Sequence, residues 1–276
     1  MDEAERLRSF ERAAHDRAAE RYAEFFAPVT ALATPALLDA AGVGPGMRVL
    51  DVASGPGHVA AAAAARGARA AGVDLAPRMV ALAAARHPGI AFRVADVEAL
   101  PFPAASFDAL VCSFGLGHFP HPEAAIAECA RVVAPGGRLA FAWWDAPERQ
   151  RLQALFREAL AEAGAVPPPE VPRHSTLRFC DPGAFRALLE GAGLQEVTLA
   201  AHATTHAVPD SETLWRGGLE GLAITGATLR GQTPETQARI RAAFERRAAA
   251  YRREGEGLVI PIGFLVGSGR RPPAAG

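Results

Sequence analysis

The stretch Val49-Leu-Asp-Val-Ala-Ser-Gly-Pro-Gly-His-Val-Ala60 decides the fold of this 276-residue chain. An apolar run carries one acid, Asp51, and breaks at Gly55 and Gly57 before an alanine-rich run. This pattern predicts a strand, a tight glycine turn and the start of a helix. Glycines let the backbone approach a ligand closely, and a helix N-terminus presents unpaired N–H groups. The stretch therefore predicts a cradle for a nucleotide-like molecule.

The chain around this stretch alternates strand-like and helix-like runs. The predicted strands are Arg48–Ala53, Arg69–Leu75, Ile90–Ala95, Phe107–Phe114 and Arg138–Trp144. The predicted helices between them are Pro56–Arg66, Pro77–Arg86 and Pro122–Val133, and Gly136-Gly137 is expected to form the turn before the fifth strand. Such alternation predicts an α/β fold, a doubly wound, Rossmann-like parallel sheet that binds its ligand at the carboxyl ends of the strands.

The rhythm changes outside this core. Residues 2–26 and 30–41 read as helices, a long helix covers 147–164, and a sixth strand begins at Leu194. Two more helical segments, about 211–225 and 234–253, precede a last β-rich run over 257–266. We therefore predict an N-terminal helical lid (1–46), a core (47–209 and 257–269), a helical substrate cap (210–256) and a disordered tail (270–276).

Composition narrows the function classes. The formal net charge of −1 argues against a nucleic-acid or anionic-membrane surface. All 29 basic residues are arginine, which removes lysine Schiff-base chemistry and a Walker-type phosphate lysine. No signal-peptide pattern or run of 18 apolar residues is seen, so we expect a cytoplasmic protein.

The glycine turn alone leaves two cofactor classes open. Gly55, Gly57 and Ala60 satisfy the dinucleotide fingerprint, and Asp74 lies where a ribose-binding acid belongs. Asp51, inside the strand, would repel a pyrophosphate but could receive an amino group. Asp96-Val97 ends the third strand, where a carboxylate can accept from an adenine amine. Three further segments follow in one fixed order: Pro101-Phe102, Ser106-Phe107-Asp108 and Arg131-Val-Val-Ala-Pro-Gly-Gly137.

Together these motifs resemble the class I S-adenosylmethionine-dependent methyltransferases. They are most similar to the small-molecule group that includes the ubiquinone and menaquinone pathway enzymes, over about residues 47–145. The resemblance implies a seven-stranded, mostly parallel sheet whose last strand is antiparallel, a role that Leu258–Val266 could fill. It also implies S-adenosylmethionine as the cofactor.

The resemblance implies cofactor contacts for individual residues. Ala53 replaces the family's usual first glycine, which we expect to be tolerated if its φ is negative. Asp74 would hold both ribose hydroxyls, and Tyr22 would fold over the cofactor from the N-terminal segment. The remaining implied cofactor-binding residues are Asp51, Gly55, Gly57, Leu75, Asp96, Val97, Ser113 and Phe114.

Methyl transfer to a hydroxyl benefits from a general base near the ends of strands four and five. His118 follows strand four and Asp145 ends strand five, so we predict that His118 accepts the substrate proton and that Asp145 orients it or a second substrate group. His202 and His206 lie four apart on a strand-like stretch and lack a third ligand, so we expect no metal site.

The sequence thus predicts a methyltransferase that acts on oxygen or carbon of a small, partly apolar metabolite. The apolar residues of the cap suggest a natural-product or quinone-like acceptor. We expect a small-molecule partner, no nucleic acid or membrane, and a monomer or homodimer. The alternatives are an NAD-dependent oxidoreductase, or a methyltransferase-fold protein that catalyses a non-methylating reaction.

Overall fold

The computed structural model describes residues 2–255 and 257–273, which form one twisted α/β sheet with helices packed on it. The strand order is β3-β2-β1-β4-β5-β8-β6, and β7 pairs with β8 outside this path. The strands are β1 Arg48–Val52, β2 Arg69–Asp74, β3 Ala91–Val94, β4 Phe107–Ser113, β5 Val133–Trp144, β6 Gln195–Val208, β7 Arg252–Arg253 and β8 Gly257–Arg270.

The pairing confirms the predicted sheet. The pairs β1–β2, β2–β3, β1–β4 and β4–β5 are parallel, whereas β8 runs antiparallel to both β5 and β6. The two-residue strand β7 is the addition to the seven predicted strands. Leu50, Leu110 and Phe141 on the central strands are fully buried, as expected for strands covered on both faces.

Helices precede the sheet and connect its strands. They are α1 Glu3–Arg21, α2 Ala27–Thr30, α3 Thr34–Ala40, α4 His58–Ala65, α5 Pro77–Arg86, α6 Pro122–Val132, α7 Arg151–Glu162, α8 Pro182–Gly191, α9 Ser211–Gly221, α10 Ala223–Arg230 and α11 Pro234–Ala248. Among the described residues, no helix combines the length and the apolar character needed to cross a membrane.

The N-terminal segment is shaped by its own sequence. Asp2 accepts from the Glu5 amide and so begins α1. The helix passes into a π-helical turn over Tyr22–Phe26. Within this turn Tyr22 stacks on Phe26, and the Phe25 ring packs against the Phe26 ring. Such π turns occur often at functional sites. Helix α1 packs against α5 and α9, so it lies beside the carboxyl ends of β2 and β3.

Two boundaries differ from the sequence prediction. Gly136 and Gly137 lie inside β5, where Gly136 takes φ of 79° and donates to the Arg271 carbonyl. Sheet pairing with β8 therefore replaces the predicted turn. Arg270 ends β8, and the Arg271 amide donates to Gly137, so these two residues do not belong to a disordered tail. Residues 274–276 of the predicted tail lie outside the described residues.

Candidate active site

A cavity opens at the carboxyl ends of β1, β2, β3 and β4 and is flanked by α1. Its lining contains most of the residues predicted for the cofactor, namely Tyr22, Ala53, Gly55, Asp74, Leu75, Asp96, Val97, Ser113 and Phe114, together with the predicted base His118. It also contains residues that the sequence analysis did not name, among them Arg8, Glu11, Arg12, His15 and Leu222. The strand ends therefore meet where the doubly wound topology places a ligand.

The glycine turn after β1 is left-handed at three residues. Ala53 has φ of 54°, Gly55 of 50° and Gly57 of 83°. The condition set for Ala53, a negative φ, is therefore not met, and this position carries the strain of a left-handed non-glycine residue. The Ala53 methyl is accommodated because its neighbour is Gly115, where a Cβ would lie 2.7 Å from it.

Gly57 has a packing role and is not among the described residues that line the cavity. A Cβ there would lie 2.7 Å from the Phe92 ring and 2.9 Å from the His87 ring. Because Gly57 has no side chain, the start of α4 can lie close to Phe92 on β3 and to His87. Its predicted contact with the cofactor stays a prediction.

Asp74 ends β2 inside the cavity. Its Oδ2 accepts from the Gly55 amide at 2.8 Å, and its Oδ1 accepts from the Ala76 amide at 2.9 Å. Burial raises its pKa, although the two amide hydrogen bonds act in the opposite direction. Each carboxylate oxygen keeps a free lone pair, so the group can still accept from two neighbouring hydroxyls.

Asp51 lies behind the glycine turn, and it is not one of the described residues that line the cavity. The carboxyl group is 1% exposed, and its Oδ2 accepts from the Ala60 amide at 3.0 Å, which fixes the start of α4. Burial raises its pKa to about 8. Oδ1 has no partner among the described residues, and the predicted contact of Asp51 with an amino group stays a prediction.

Asp96 reaches the cavity but is held by the N-terminal helix. Its Oδ1 accepts from the Glu98 amide, and its Oδ2 lies 2.6 Å from Nε of Arg8. Arg8 also pairs with Glu98. Helix α1 is thus fastened across the end of β3, beside Val97, where the adenine edge was predicted.

Ser113 ends β4 and Phe114 follows it directly, so both lie at the predicted end of this strand. The Ser113 Oγ is buried and has no partner among the described residues. Phe114 has φ of 57° and stacks on Trp144, with ring centroids 3.8 Å apart. Of the two adjacent tryptophans, Trp144 lines the cavity, whereas Trp143 is buried and donates from Nε1 to the Thr176 carbonyl.

Tyr22 lines the cavity from the π-helical turn and stacks on Phe26. Burial raises its pKa to about 12, so its hydroxyl stays protonated. A Cβ on Gly55 would lie 3.8 Å from the Tyr22 ring, so the ring faces the glycine turn.

His118 ends a short 3₁₀ turn, Leu116–His118, after β4. Gly117 is needed there because a Cβ would lie 2.1 Å from the Trp143 ring. The turn presents the imidazole to the cavity with 29% of the side chain exposed. Nδ1 of His118 lies 3.1 Å from Oε1 of Glu11, a residue of α1 that is almost fully buried.

Glu11 also faces His15, one turn further along α1. Its Oε2 lies 3.2 Å from Nδ1 of His15, and the two imidazole rings meet edge to face. Burial alone would raise the pKa of Glu11, but His118 and His15 outweigh it and hold that pKa well below its usual value. Burial opposes the charge of His15 as well, yet Glu11 raises the His15 pKa to about 9.

Asp145 is not brought to His118 as predicted. It is 1% exposed and accepts from the Ala146 amide and from Nε and a terminal nitrogen of Arg149. Burial opposes the charge of Asp145, but the neighbouring Arg149 outweighs it and lowers the pKa of the carboxyl group. Asp145 is absent from the cavity lining among the described residues, so the carboxylate beside His118 is Glu11 instead.

The same cluster bears on the expectation of no metal. Ligand atoms of Glu11, His15 and His118 lie within 4.8 Å of one another, close enough to share one cation. However, Nδ1 of His15 lies 2.9 Å from the Glu11 backbone carbonyl oxygen. A carbonyl only accepts, so this nitrogen carries a proton and is not a free ligand.

The cluster was missed because its members are 107 residues apart, from Glu11 to His118. The available signal was the pair Glu11 and His15, which lie one turn apart on one face of a predicted helix. Arg8 lies on the same face. Only the packing of α1 on the strand ends brings that face to the loop after β4.

Comparisons with known proteins agree with this geometry. Residues 50–141 match the family model described as a methyltransferase domain. The demethylmenaquinone methyltransferase of Renibacterium salmoninarum is 39% identical over 127 residues, 46% of this chain and 54% of that protein. Its counterpart from Beutenbergia cavernae is 41% identical over 121 residues, 44% of this chain and 50% of that protein. The chain spans about half the length of these relatives.

A solved structure covers more of the fold. The YcgJ protein of Bacillus subtilis superposes with a TM-score of 0.57 at 21% identity, over 88% of this chain and 99% of that one. At this identity the likeness concerns the fold. Together with the match of residues 50–141 to a methyltransferase domain, it agrees with the resemblance to the class I S-adenosylmethionine-dependent methyltransferases.

Proposed function

We propose that the protein transfers a methyl group from S-adenosylmethionine to oxygen or carbon of a small, partly apolar metabolite. The observation that carries this proposal is Asp74, a buried carboxylate at the end of β2 that faces the cavity and is fixed by the Gly55 and Ala76 amides. This arrangement suits two adjacent ribose hydroxyls. An NAD-dependent oxidoreductase is not favoured by the domain match.

The lining fits a nucleoside with an amino-acid tail. Asp74 and Leu75 would hold the ribose and adenine, and Asp96 and Val97 would meet the adenine edge. Asp96 can do so once Arg8 shares or releases its Oδ2. Ser113 has a buried hydroxyl without a partner among the described residues, and it would meet the methionine portion.

Bound S-adenosylmethionine would supply the methyl group of its sulfonium to an aligned nucleophile, with the thioether as the leaving group. His118 would take the proton of a hydroxyl acceptor, because its imidazole faces the cavity. Phe114 and Trp144 would provide an apolar wall for the acceptor.

The predicted domain roles are part of the proposal. Arg8, Tyr22 and Phe26 bring the N-terminal lid (1–46) to the cavity, and Gly221, Leu222 and Ala223 bring the helical cap (210–256) to it. The near-neutral charge supports a small-molecule acceptor over nucleic acid. Cytoplasmic location and a monomer or homodimer complete the proposal.

Equilibrium binding tests the cofactor. Isothermal titration should detect S-adenosylhomocysteine with a Kd in the micromolar range or below and NADH at least about 100-fold more weakly. Tighter binding of NADH would overturn the proposal in favour of an oxidoreductase.

A labelled-methyl screen tests the reaction. The protein is incubated with methyl-labelled S-adenosylmethionine and either reduced demethylmenaquinone or a library of phenolic metabolites. A labelled product that depends on the protein supports the proposal. Tight cofactor binding without any labelled product would favour the non-methylating alternative.

A further inference from the structure

Glu11 is a buried carboxylate that has no role in the proposed cofactor site. It is 3% exposed, it lies on α1, and its two oxygens face Nδ1 of His118 and Nδ1 of His15. Neither oxygen has a well-aligned hydrogen bond with another described residue. A buried carboxylate is costly unless cations or donors compensate for it, so the two imidazoles are its compensation.

We propose that Glu11 is a positioning residue that fixes the tautomer of His118, with the proton on Nδ1 and the lone pair of Nε2 directed to the acceptor. This inference rests on the proposed methyl transfer and assigns to Glu11 the orienting role that the sequence analysis gave to Asp145.

The contact distance favours a proton on Nδ1. An ionised carboxylate only accepts, and a nitrogen lone pair 3.1 Å from its oxygen would repel it. A neutral imidazole protonated on Nδ1 has its lone pair on Nε2. Nδ1 is buried, whereas part of the ring remains exposed at the cavity. The acceptor thus meets the basic edge of the ring.

The proton balance follows directly. The acceptor O–H bond breaks and its proton passes to Nε2 of His118, while the new O–CH₃ bond forms and the donor loses its methyl. His118 becomes an imidazolium whose Nδ1–H still faces Glu11. The carboxylate stabilises this charge without accepting the proton itself, and solvent at the cavity mouth returns His118 to neutrality.

His15 keeps the carboxylate ionised. The charged groups that face His15 are Glu11 on its own helix and Asp74 from the end of β2, and His118 and Tyr22 contact its ring. Both carboxylates favour the imidazolium form. With His15 charged, one Glu11 oxygen is neutralised and the other remains an acceptor for His118.

A bound cation is the rival explanation for the cluster. It would need an unprotonated nitrogen on each imidazole, which His15 could offer only at Nε2, because its Nδ1 donates to the Glu11 carbonyl. Addition of Zn²⁺ or Mn²⁺ to metal-free protein separates the two: calorimetric uptake of one ion, lost in Glu11→Gln, would overturn the proposal.

Nitrogen NMR tests the tautomer without any acceptor. The His118 ring signals of ¹⁵N-labelled protein are assigned by their loss in His118→Gln. The proposal expects an Nδ1–H tautomer in the wild type and loss of that preference in Glu11→Gln. The matched control is Glu20→Gln, which removes a carboxylate of the same helix that pairs with the exposed Arg78. An Nε2–H tautomer in the wild type, or a tautomer shift in Asp145→Asn but not in Glu11→Gln, would overturn the assignment.

Kinetics then separate positioning from folding. With an acceptor found in the labelled-methyl screen, Glu11→Gln should lower kcat about 10- to 100-fold, while the Kd for S-adenosylhomocysteine stays within about twofold. Unchanged kcat with an altered tautomer would overturn the positioning role. If the screen finds no methyl transfer at all, the proposed function fails, while the NMR result still decides the Glu11–His118 arrangement.

Discussion

Three carboxylates face the same cavity but are held in different ways: Asp74 at the end of β2, Asp96 after β3 and Glu11 on α1. Asp74 is fixed by two backbone amides. Asp96 is fixed by one amide and Arg8, whereas Glu11 meets two imidazole side chains. The amides that hold Asp74 come from the strand ends themselves. Local sequence therefore builds the side proposed for the cofactor, while the packing of α1 builds the side with the proposed general base, His118.

The first test removes the charge that the backbone holds. Asp74→Asn should weaken S-adenosylhomocysteine binding about 100-fold, about 2.7 kcal/mol, because charged hydrogen bonds to ribose hydroxyls are lost. Isothermal titration measures this. Asp39→Asn is the matched control, since Asp39 is exposed and pairs with Arg66 on the surface. An unchanged Kd for Asp74→Asn would show that the nucleoside binds elsewhere.

The second test adds a methyl group at Gly57, in the glycine turn after β1 that lies beside Asp74. Gly57→Ala should cost about 2 kcal/mol of unfolding free energy, from the left-handed φ and the clash with Phe92 and His87. Denaturant unfolding measures the loss. Gly44→Ala is the control, because a Cβ on Gly44 meets no atom within 4 Å. Equal stability of the two variants would contradict the packing role of Gly57.

Sequence reasoning succeeded where a contact is local. Asp74 and Gly55 are hydrogen-bonded because β2 lies beside β1, and parallel alternation predicts that neighbourhood. It failed where the partner depends on tertiary packing. Asp145 was expected to orient His118 or a second substrate group, but it pairs with Arg149, four residues further on. Glu11 takes the place beside His118, and no local rule links residues 11 and 118.

Boundaries failed for a related reason. Gly136 and Gly137 indicate a turn, but their backbone hydrogen bonds with Arg271, the residue after β8, keep them in β5. Turn propensity yields here to sheet pairing, which the local sequence does not encode.

The third test concerns Asp51, the acid that the structure places behind the turn. Its folded pKa of about 8 lies above its unfolded value. From pH 4 upward the unfolded chain ionises first, so the fold loses stability as pH rises, until the folded group ionises near pH 8. Asp51→Asn removes this loss.

We expect the stability of Asp51→Asn relative to wild type to increase by about 2 kcal/mol between pH 6 and pH 8. Urea unfolding across that range measures the difference. A constant difference would mean that Asp51 is already ionised in the fold, which would suit the amine contact predicted from the sequence.

The smallest effect is expected at Ala53, where the family's glycine is replaced. Ala53→Gly relieves the left-handed strain at φ of 54°, worth about 1 to 2 kcal/mol, but adds chain entropy to the unfolded state, about 0.5 to 1 kcal/mol. A net stabilisation of about 0.5 kcal/mol should appear in denaturant unfolding. Ala62→Gly, inside α4, should instead destabilise by about 1 kcal/mol, because glycine is unfavourable in a helix interior. If both glycine variants were destabilised alike, the turn would hold alanine without strain. The cofactor side of the cavity would then not depend on a left-handed residue at position 53.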